Sequence, residues 1–481
     1  MKEWNRISKT LLSVAAAALV LSGCGGGGGG GNLQTKSVAL SAGWHHTCAV
    51  VDTSGAGEVK CWGDNAYGEL GDGTQRDSVS PVTVKTAQGT PLQHVTAVSA
   101  SRYYTCALTG DGHVWCWGYN EGGKLGDGKL DTTLGGTLNA TQQQALEQYF
   151  DDENISAVPV EVLTDANTPL TGAVQISAGS WHACALINDG TVKCWGQNFD
   201  GALGIGKDPN DFDVANALSD RNEFQKLFWP YAVTVVENNT STQPLDHVVQ
   251  VAAGSSDHTC ALLDSGKVTC WAWNGGSDGE LGIDDTNTAY ATAPAGFVKD
   301  ESGGDLTDVR KIAAGGDFTC ALLNSGGVKC WGWNVAGQVG NESTASVAHA
   351  VSVKDANGNP LTGVKEIFSE RGNHTCALMN DNSVQCWGDN THGQLGNGAS
   401  GAYEAHAVNV DLSGIDGNVT ALAVGGGGRD PRSQSPVEYD GDHTCALTDT
   451  GKVYCWGSND KGQLGDGTTN DSPVPVEVRG L

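Results

Sequence analysis

"HTCALLDSGKVTCWAWN", residues 258–274, sets two cysteines ten positions apart around an Asp-Ser-Gly, with a tryptophan directly after the second. Asp264-Ser265-Gly266 suits a three-residue hairpin loop, a type I turn closed by glycine in the left-handed region. That loop makes Leu262 face Val268 and Cys260 face Cys270. Directly opposed residues of antiparallel strands hold their Cβ atoms about 4.5–5.5 Å apart, and a non-hydrogen-bonded pair comes close enough for a disulfide. Side chains alternate between strand faces. Cys260, Leu262, Val268 and Cys270 therefore share one face, and Ala261 and Trp271 the other.

The hairpin recurs. Fourteen of the 15 cysteines form seven pairs: Cys48/Cys61, Cys106/Cys116, Cys184/Cys194, Cys260/Cys270, Cys320/Cys330, Cys376/Cys386 and Cys445/Cys455. The turn glycine recurs as Gly112, Gly190, Gly326 and Gly451, with Asn382, the next most tolerant residue there, in one copy. Zinc sites use shorter cysteine spacings, and no Cys-x-x-Cys redox motif occurs. Buried free thiols are the competing reading. The tryptophans Trp62, Trp117, Trp195, Trp271, Trp331, Trp387 and Trp456 occupy one repeated position beside a small Ala or Thr, which marks them as core between units.

Each hairpin sits in a longer unit. In the last copy, Asp442–Val478, an H-T-C-A-L strand, a turn, a V-x-C-W-G strand, a G-Q-L-G-D-G-T loop and a P-V-x-V strand follow one another. A further strand precedes the His, as in "VTAVSAS" (95–101) and "VQVAAGS" (249–255). Seven copies of a four-stranded unit predict an all-β, seven-bladed β-propeller, because a lone unit cannot cover both its faces. The H-T-C-A-L, V-x-C-W-G-x-N and G-Q-L-G-D-G-T segments resemble the regulator of chromosome condensation repeat family, whose members are seven-bladed propellers. The resemblance spans nearly all of residues 33–481. It implies ring closure by uniting terminal strands in one blade, with "SVALSAG" (37–43) and "PVPVEV" (473–478) as the candidates. It also implies an interaction role rather than chemistry. Some members are guanine-nucleotide exchange factors that contact chromatin; the N-terminus and charge of this chain speak against that role here.

Lys2, Arg6 and Lys9 precede an apolar run, Leu11–Leu21, too short to span a bilayer comfortably. "LSGC" (21–24) then resembles the bacterial lipobox, with Cys24 as the lipidated residue. The competing reading is an ordinary signal peptide with an incidental cysteine. Seven glycines, Gly25–Gly31, follow as a flexible tether. The expected organisation is a lipoprotein signal peptide (1–23), a lipidated Cys and polyglycine tether (24–32) and the propeller (33–481). Glycine after Cys24 resembles the pattern released to the outer membrane of Gram-negative bacteria. The expected location is the cell envelope, with the membrane touched only through the lipid.

The net charge of −28 repels nucleic acid phosphates. His46, His182, His258, His374 and His443 share one repeated position that Tyr104 and Phe318 take elsewhere. One His per blade, replaceable by Phe, reads as packing and local hydrogen bonding rather than metal ligation. Gly275–Gly279 matches G-x-S-x-G without the strand and helix a nucleophile elbow needs, and no Walker A or H-E-x-x-H motif occurs. The acidic run 208–213 lacks EF-hand spacing. No catalytic residue, metal or cofactor is expected.

Three segments break the repeat. Blade 2 inserts residues 129–156 and blade 3 residues 207–231, both read as partly helical; blade 7 inserts residues 426–441. First-to-second and third-to-fourth strand connections leave the same side of an up-and-down blade, so all three decorate one face. They carry Tyr149, Phe150, Phe212, Phe224, Phe228, Trp229, Arg429, Arg432 and Tyr439 as the candidate binding face, since aromatics and Arg dominate interface hot spots. The competing reading is that these aromatics pin the inserts down. The expected function is a monomeric interaction module or scaffold for an envelope or extracellular protein. The alternatives are carbohydrate binding on exposed Trp44, Trp181, Trp273 and Trp333, and a cell-envelope hydrolase.

Overall fold

The structure is a computed structural model. It describes residues 36–52, 55–129, 155–207, 227–255, 257–274, 278–285, 287–401, 403–427 and 441–481. Seven four-stranded antiparallel sheets follow one another, each made of strands consecutive in sequence. Blade 1 comprises Lys36–Ala42, His46–Asp52, Glu58–Gly63 and Ser78–Thr83. Blade 7 comprises Val419–Gly425, His443–Thr448, Val453–Gly457 and Ser472–Glu477. The five blades between them repeat the order.

The hairpin register is the one the spacing demands. Cys260 pairs with Cys270, and Leu262 with Val268. The free-thiol reading fails, because each pair is a disulfide: Cys48–Cys61, Cys106–Cys116, Cys184–Cys194, Cys260–Cys270, Cys320–Cys330, Cys376–Cys386 and Cys445–Cys455. Their Cα atoms lie 4.0 to 4.1 Å apart. Gly266 turns the chain at φ 75°, and Asn382 takes the same left-handed place at φ 67°.

Seven apolar clusters lie between neighbouring blades. In the cluster joining blades 4 and 5, Cys260, Leu262, Val268 and Cys270 meet Ala321 and Trp331. The disulfide face of one blade thus packs on the tryptophan face of the next, and this is why the Cys hairpin carries a Trp behind it. Each Trp indole also donates to a main-chain carbonyl in the preceding blade's long loop, for example Trp331 to Glu280 O at 3.0 Å and Trp62 to Gln463 O at 2.9 Å. The glycine of each L-G step lies against that ring: a Cβ on Gly71 would fall 2.7 Å from Trp117 Nε1.

The repeated histidines are buried hydrogen-bonding groups. Nε2 of His46, His182, His258, His374 and His443 contacts the Thr hydroxyl of the next blade, Thr105, Thr259, Thr319, Thr444 and Thr47, at 2.7 to 3.0 Å. Tyr104 stands where the next blade has Ala183 instead of Thr; its hydroxyl donates to Gly179 O and His182 O. The Asn of W-G-x-N is a second buried device. Asn459 Oδ1 accepts from Leu464 N at 3.0 Å while its Nδ2 donates to Thr468 O and Asn470 O, which shapes the long loop.

Two expectations need correction. The terminal strands do not share a blade: Lys36–Ala42 pairs inside blade 1, and Ser472–Glu477 inside blade 7. Only three residues separate Lys36–Ala42 from His46, so the short turn commits that strand to its own blade. The ring closes without a shared blade, through His443 to Thr47, Trp62 to Gln463 O, and the main-chain bonds of Gly426 N to Gly43 O and Gly467 N to Val79 O. The second concerns helices. The segment 141–150 lies outside the described residues, as does most of 207–231. The described end of the latter, Phe228–Thr234, is the fourth strand of blade 3. Among the described residues the only helical pieces are two 3-10 turns, Glu121–Gly123 and Phe199–Gly201.

Candidate functional site at the mouth of the propeller

The turns after the first strands of blades 1, 2 and 3 carry Trp44-His45, Arg102-Tyr103 and Trp181. The long loop of blade 1 brings Tyr67, and the end of the third strand of blade 2, Val114–Tyr119, brings Tyr119 to the same side. The rings form a continuous row. His45 stacks on Trp44 with centroids 5.1 Å apart, Trp44 reaches Tyr103 at 5.6 Å, Tyr103 reaches Tyr67 at 5.0 Å, and Tyr67 reaches Tyr119 at 4.7 Å. The Arg102 guanidinium lies 4.0 Å from the Trp44 centroid, 5.0 Å from Tyr103 and 5.3 Å from Trp181. Lys124, fully buried, sets its ammonium 4.7 Å from Tyr119 and 4.9 Å from Trp181. Cation–π pairs of this kind contribute roughly 0.5–2 kcal/mol each, more when desolvated.

Behind the row, Glu69 is 1% exposed, and its carboxyl accepts from Tyr67 N at 2.8 Å. Burial, then the neighbouring Asp64, pushes its pKa up to about 8. Burial also raises Asp64, helped by its hydrogen bond with Asp77 and opposed by Lys461. Burial raises the Tyr103 phenol, and Arg102 works against that shift. The cavity enclosed between Trp44, Arg102, Trp181 and Arg371 measures about 10 Å³, room for one water. No three His, Cys, Asp or Glu side chains gather as a metal site among the described residues. The arrangement offers flat aromatic area and held cations, the features of a contact surface.

Of the sequence-predicted face, Tyr149, Phe150, Phe212, Phe224, Arg429, Arg432 and Tyr439 lie outside the described residues, as does Cys24. Phe228 is 2% exposed and meets Phe199 edge-on at 5.6 Å; Trp229 is half-buried with the Lys207 ammonium 4.8 Å from its ring. Both pin the outer strand of blade 3, the packing reading. The disulfides take no part in the mouth. Cys61, Cys116, Cys194, Cys330 and Cys386 are buried in the inter-blade cores with their partners Cys48, Cys106, Cys184, Cys320 and Cys376, so these residues staple the scaffold and touch no binding surface. The four indoles proposed for carbohydrate do not form an exposed ring: Trp44 and Trp333 are 6% and 5% exposed, and Trp181 and Trp273 are half-buried. Sequence reading missed Tyr67, Arg102, Tyr103, Tyr119, Lys124 and Arg371. Their signal was departure from the repeat, as at Lys124 and Glu69, which stand where three other blades have Gln338, Gln394 and Gln463.

Fold and mouth together define a disulfide-stapled, seven-bladed repeat propeller of the interaction-module class. The chain belongs to the RCC1-like domain family, whose model matches residues 136–481; Regulator of chromosome condensation (RCC1) repeats match residues 38–69, 95–124 and 56–108. Ultraviolet-B receptor UVR8 of Arabidopsis thaliana is 26% identical over 451 residues, covering 93% of this chain and 82% of that protein. E3 ubiquitin-protein ligase HERC2 of Homo sapiens is 27% identical over 433 residues, 90% of this chain but 7% of that much longer protein. The structure of Prp20p from Saccharomyces cerevisiae is similar with a TM-score of 0.61 and 19% identity, covering 89% of this chain and 87% of Prp20p, a likeness of fold.

Proposed function

We propose that this chain is an exported, lipid-anchored interaction module that docks a protein partner on its loop face. The observation that carries the reading is the half-buried row Tyr103–Tyr67–Tyr119, backed by the buried Trp44, with the Arg102 guanidinium over Trp44 and Tyr103. Tyr, Trp and Arg supply most hot-spot energy in protein interfaces, and rings already packed against one another lose little entropy on binding. Prp20p, of like fold, is described by its binding to Gsp1p and histones, which supports a contact role for this architecture. The expected partner is an envelope or extracellular protein; the charge of −28 disfavours nucleic acid. Export rests on the basic start, the Leu11–Leu21 run and "LSGC", and seven disulfides suit an oxidising compartment. The module acts as a monomer, without cofactor or catalysis.

Two measurements test this reading. In the native host, Cys24→Ser is expected to shift the protein from the membrane to the soluble fraction of the envelope; a protein that stays with the membrane sinks the lipid anchor. For the face, residues 33–481 with disulfides intact are used to capture envelope proteins, and the retained partner is purified and titrated. Tyr67→Ala/Tyr103→Ala is expected to weaken binding at least tenfold, about 1.4 kcal/mol or more. Val174→Ser, at an exposed residue where the first strand of blade 3 begins, far from the mouth, should leave binding unchanged. Equal binding by the double variant removes the mouth from the proposal.

A further inference from the structure

The turn of blade 6, residues 369–373, departs from its counterparts. Arg371 adopts φ 60°, a left-handed conformation that side chains other than glycine rarely take. Its side chain is 3% exposed and crosses the axis of the ring. Nε donates to Ala178 O of blade 3 at 2.9 Å, and Nη2 donates to the same carbonyl. Nη1 donates to Ala42 O of blade 1 at 3.3 Å, and Nη2 to Ser99 Oγ of blade 2 at 3.1 Å. The Arg371 carbonyl accepts from Ser255 Oγ of blade 4 at 3.0 Å. One residue of blade 6 therefore ties four other blades. The adjoining Glu370 carboxylate lies 3.7 Å from Nη1 and accepts from Ser41 Oγ of blade 1, which balances the buried charge.

The three side-chain anchors are not scattered. Ala42 ends the strand before Trp44, Ser99 lies three residues before Arg102, and Ala178 ends the strand before Trp181. The guanidinium grips the roots of the three turns that carry the mouth cluster. A planar fork with five donors can hold three acceptors at fixed mutual angles, and a Lys ammonium cannot reproduce that geometry. Ser99 adds a link of its own, because its hydroxyl also accepts from Ala178 N at 3.1 Å.

We propose that Arg371 is the positioning residue of the mouth site: from across the axis it fixes the spacing of turns 43–45, 101–103 and 179–181, so that rings from three blades present one surface. The inference rests on the reading of the mouth as a binding face. It also makes that mouth a blind depression rather than the entrance of a channel.

The test is amide hydrogen exchange on the disulfide-intact protein, compared across wild type, Arg371→Lys and Arg371→Met. Both variants are expected to exchange at least tenfold faster in turns 43–45, 101–103 and 179–181. The hairpin turns 264–266 and 324–326, at the far ends of their blades, should keep wild-type rates. Ser99→Ala removes one anchor without touching the buried charge, and should loosen 101–103 and 179–181 only. A uniform rise in all segments makes Arg371 a general stabiliser, and unchanged rates in the three turns make it dispensable; either overturns the proposal. Should neither Arg371 variant fold, Ser99→Ala alone decides, and wild-type rates in its two turns overturn it. This readout needs no partner. Loosened turns combined with normal capture by Tyr67→Ala/Tyr103→Ala would keep the positioning role and reject the binding reading.

Discussion

Reduction of the seven disulfides at neutral pH is expected to unfold the propeller below 37 °C. Each bridge closes a loop of 10 residues, or 13 in the first blade, and such a loop contributes about 2.5–3 kcal/mol by the chain-entropy estimate. A typical domain has only about 5–15 kcal/mol of stability in total. Seven such terms together come to about 18–21 kcal/mol, above that margin, and even at half their estimate they match a large part of it. Reduction removes no heavy atom, so the effect is separated from the cavities that Cys→Ala changes would leave. The architecture sharpens the transition. Every disulfide packs in a core shared with the next blade, as Cys445 and Cys455 do with Trp62 across the closing seam. A blade that loosens uncovers two cores, so the ring should melt in one step rather than blade by blade. The measurement is thermal unfolding followed by circular dichroism, with and without a phosphine reductant. A reduced protein that melts within a few degrees of the oxidised one would refute the role assigned to the bridges.

The hairpins were legible because their logic is local. Ten residues, a turn glycine and strand alternation fix which side chains share a face, and seven copies confirm one another. The inter-blade tryptophans follow from the same alternation. Ring closure was misjudged because it was carried over from the resemblance rather than read from strand order: the strand before His46 and the strand after Trp456 each belong to their own blade. The mouth was hidden for a different reason. Arg371 meets Ala42, Ser99 and Ala178 across 329, 272 and 193 residues of chain, contacts that exist only once the ring is closed. The long inserts interrupt the same strand connections that build the mouth, but the aromatic row is built from single departures inside the repeat. Aligning the seven units and marking each position that breaks the consensus would have exposed Arg102, Lys124 and Arg371 together.

Glu69 is one of those departures, and it makes the fold sensitive to alkali. Gln338, Gln394 and Gln463 take its place in three other blades, each amide oxygen accepting from the main-chain N–H two residues back at 2.9 Å. Glu69 accepts from Tyr67 N in the same way, so a protonated carboxyl does the work of the amide. Its pKa in the fold, pushed up to about 8, lies above the ordinary 4.5. A group raised in this direction contributes stability that is fully present below pH 4.5 and is lost as pH rises through 8. At about 1.4 kcal/mol per pH unit, the window is worth about 4–5 kcal/mol. Glu69→Gln is therefore expected to match wild type within about 1 kcal/mol at about pH 4.5 and to be the more stable protein by several kcal/mol at about pH 9. The buried histidines work at the other end. Burial lowers His46 and His374 to about 3 and His258 and His443 to about 4, so their contribution is present above pH 6.5 and lost on acidification towards those values. They titrate alike in both proteins and cancel in the difference. Denaturant unfolding of the pair at acidic, neutral and alkaline pH gives that difference directly, and a gap that does not widen with pH would show that Glu69 is already ionised in the fold.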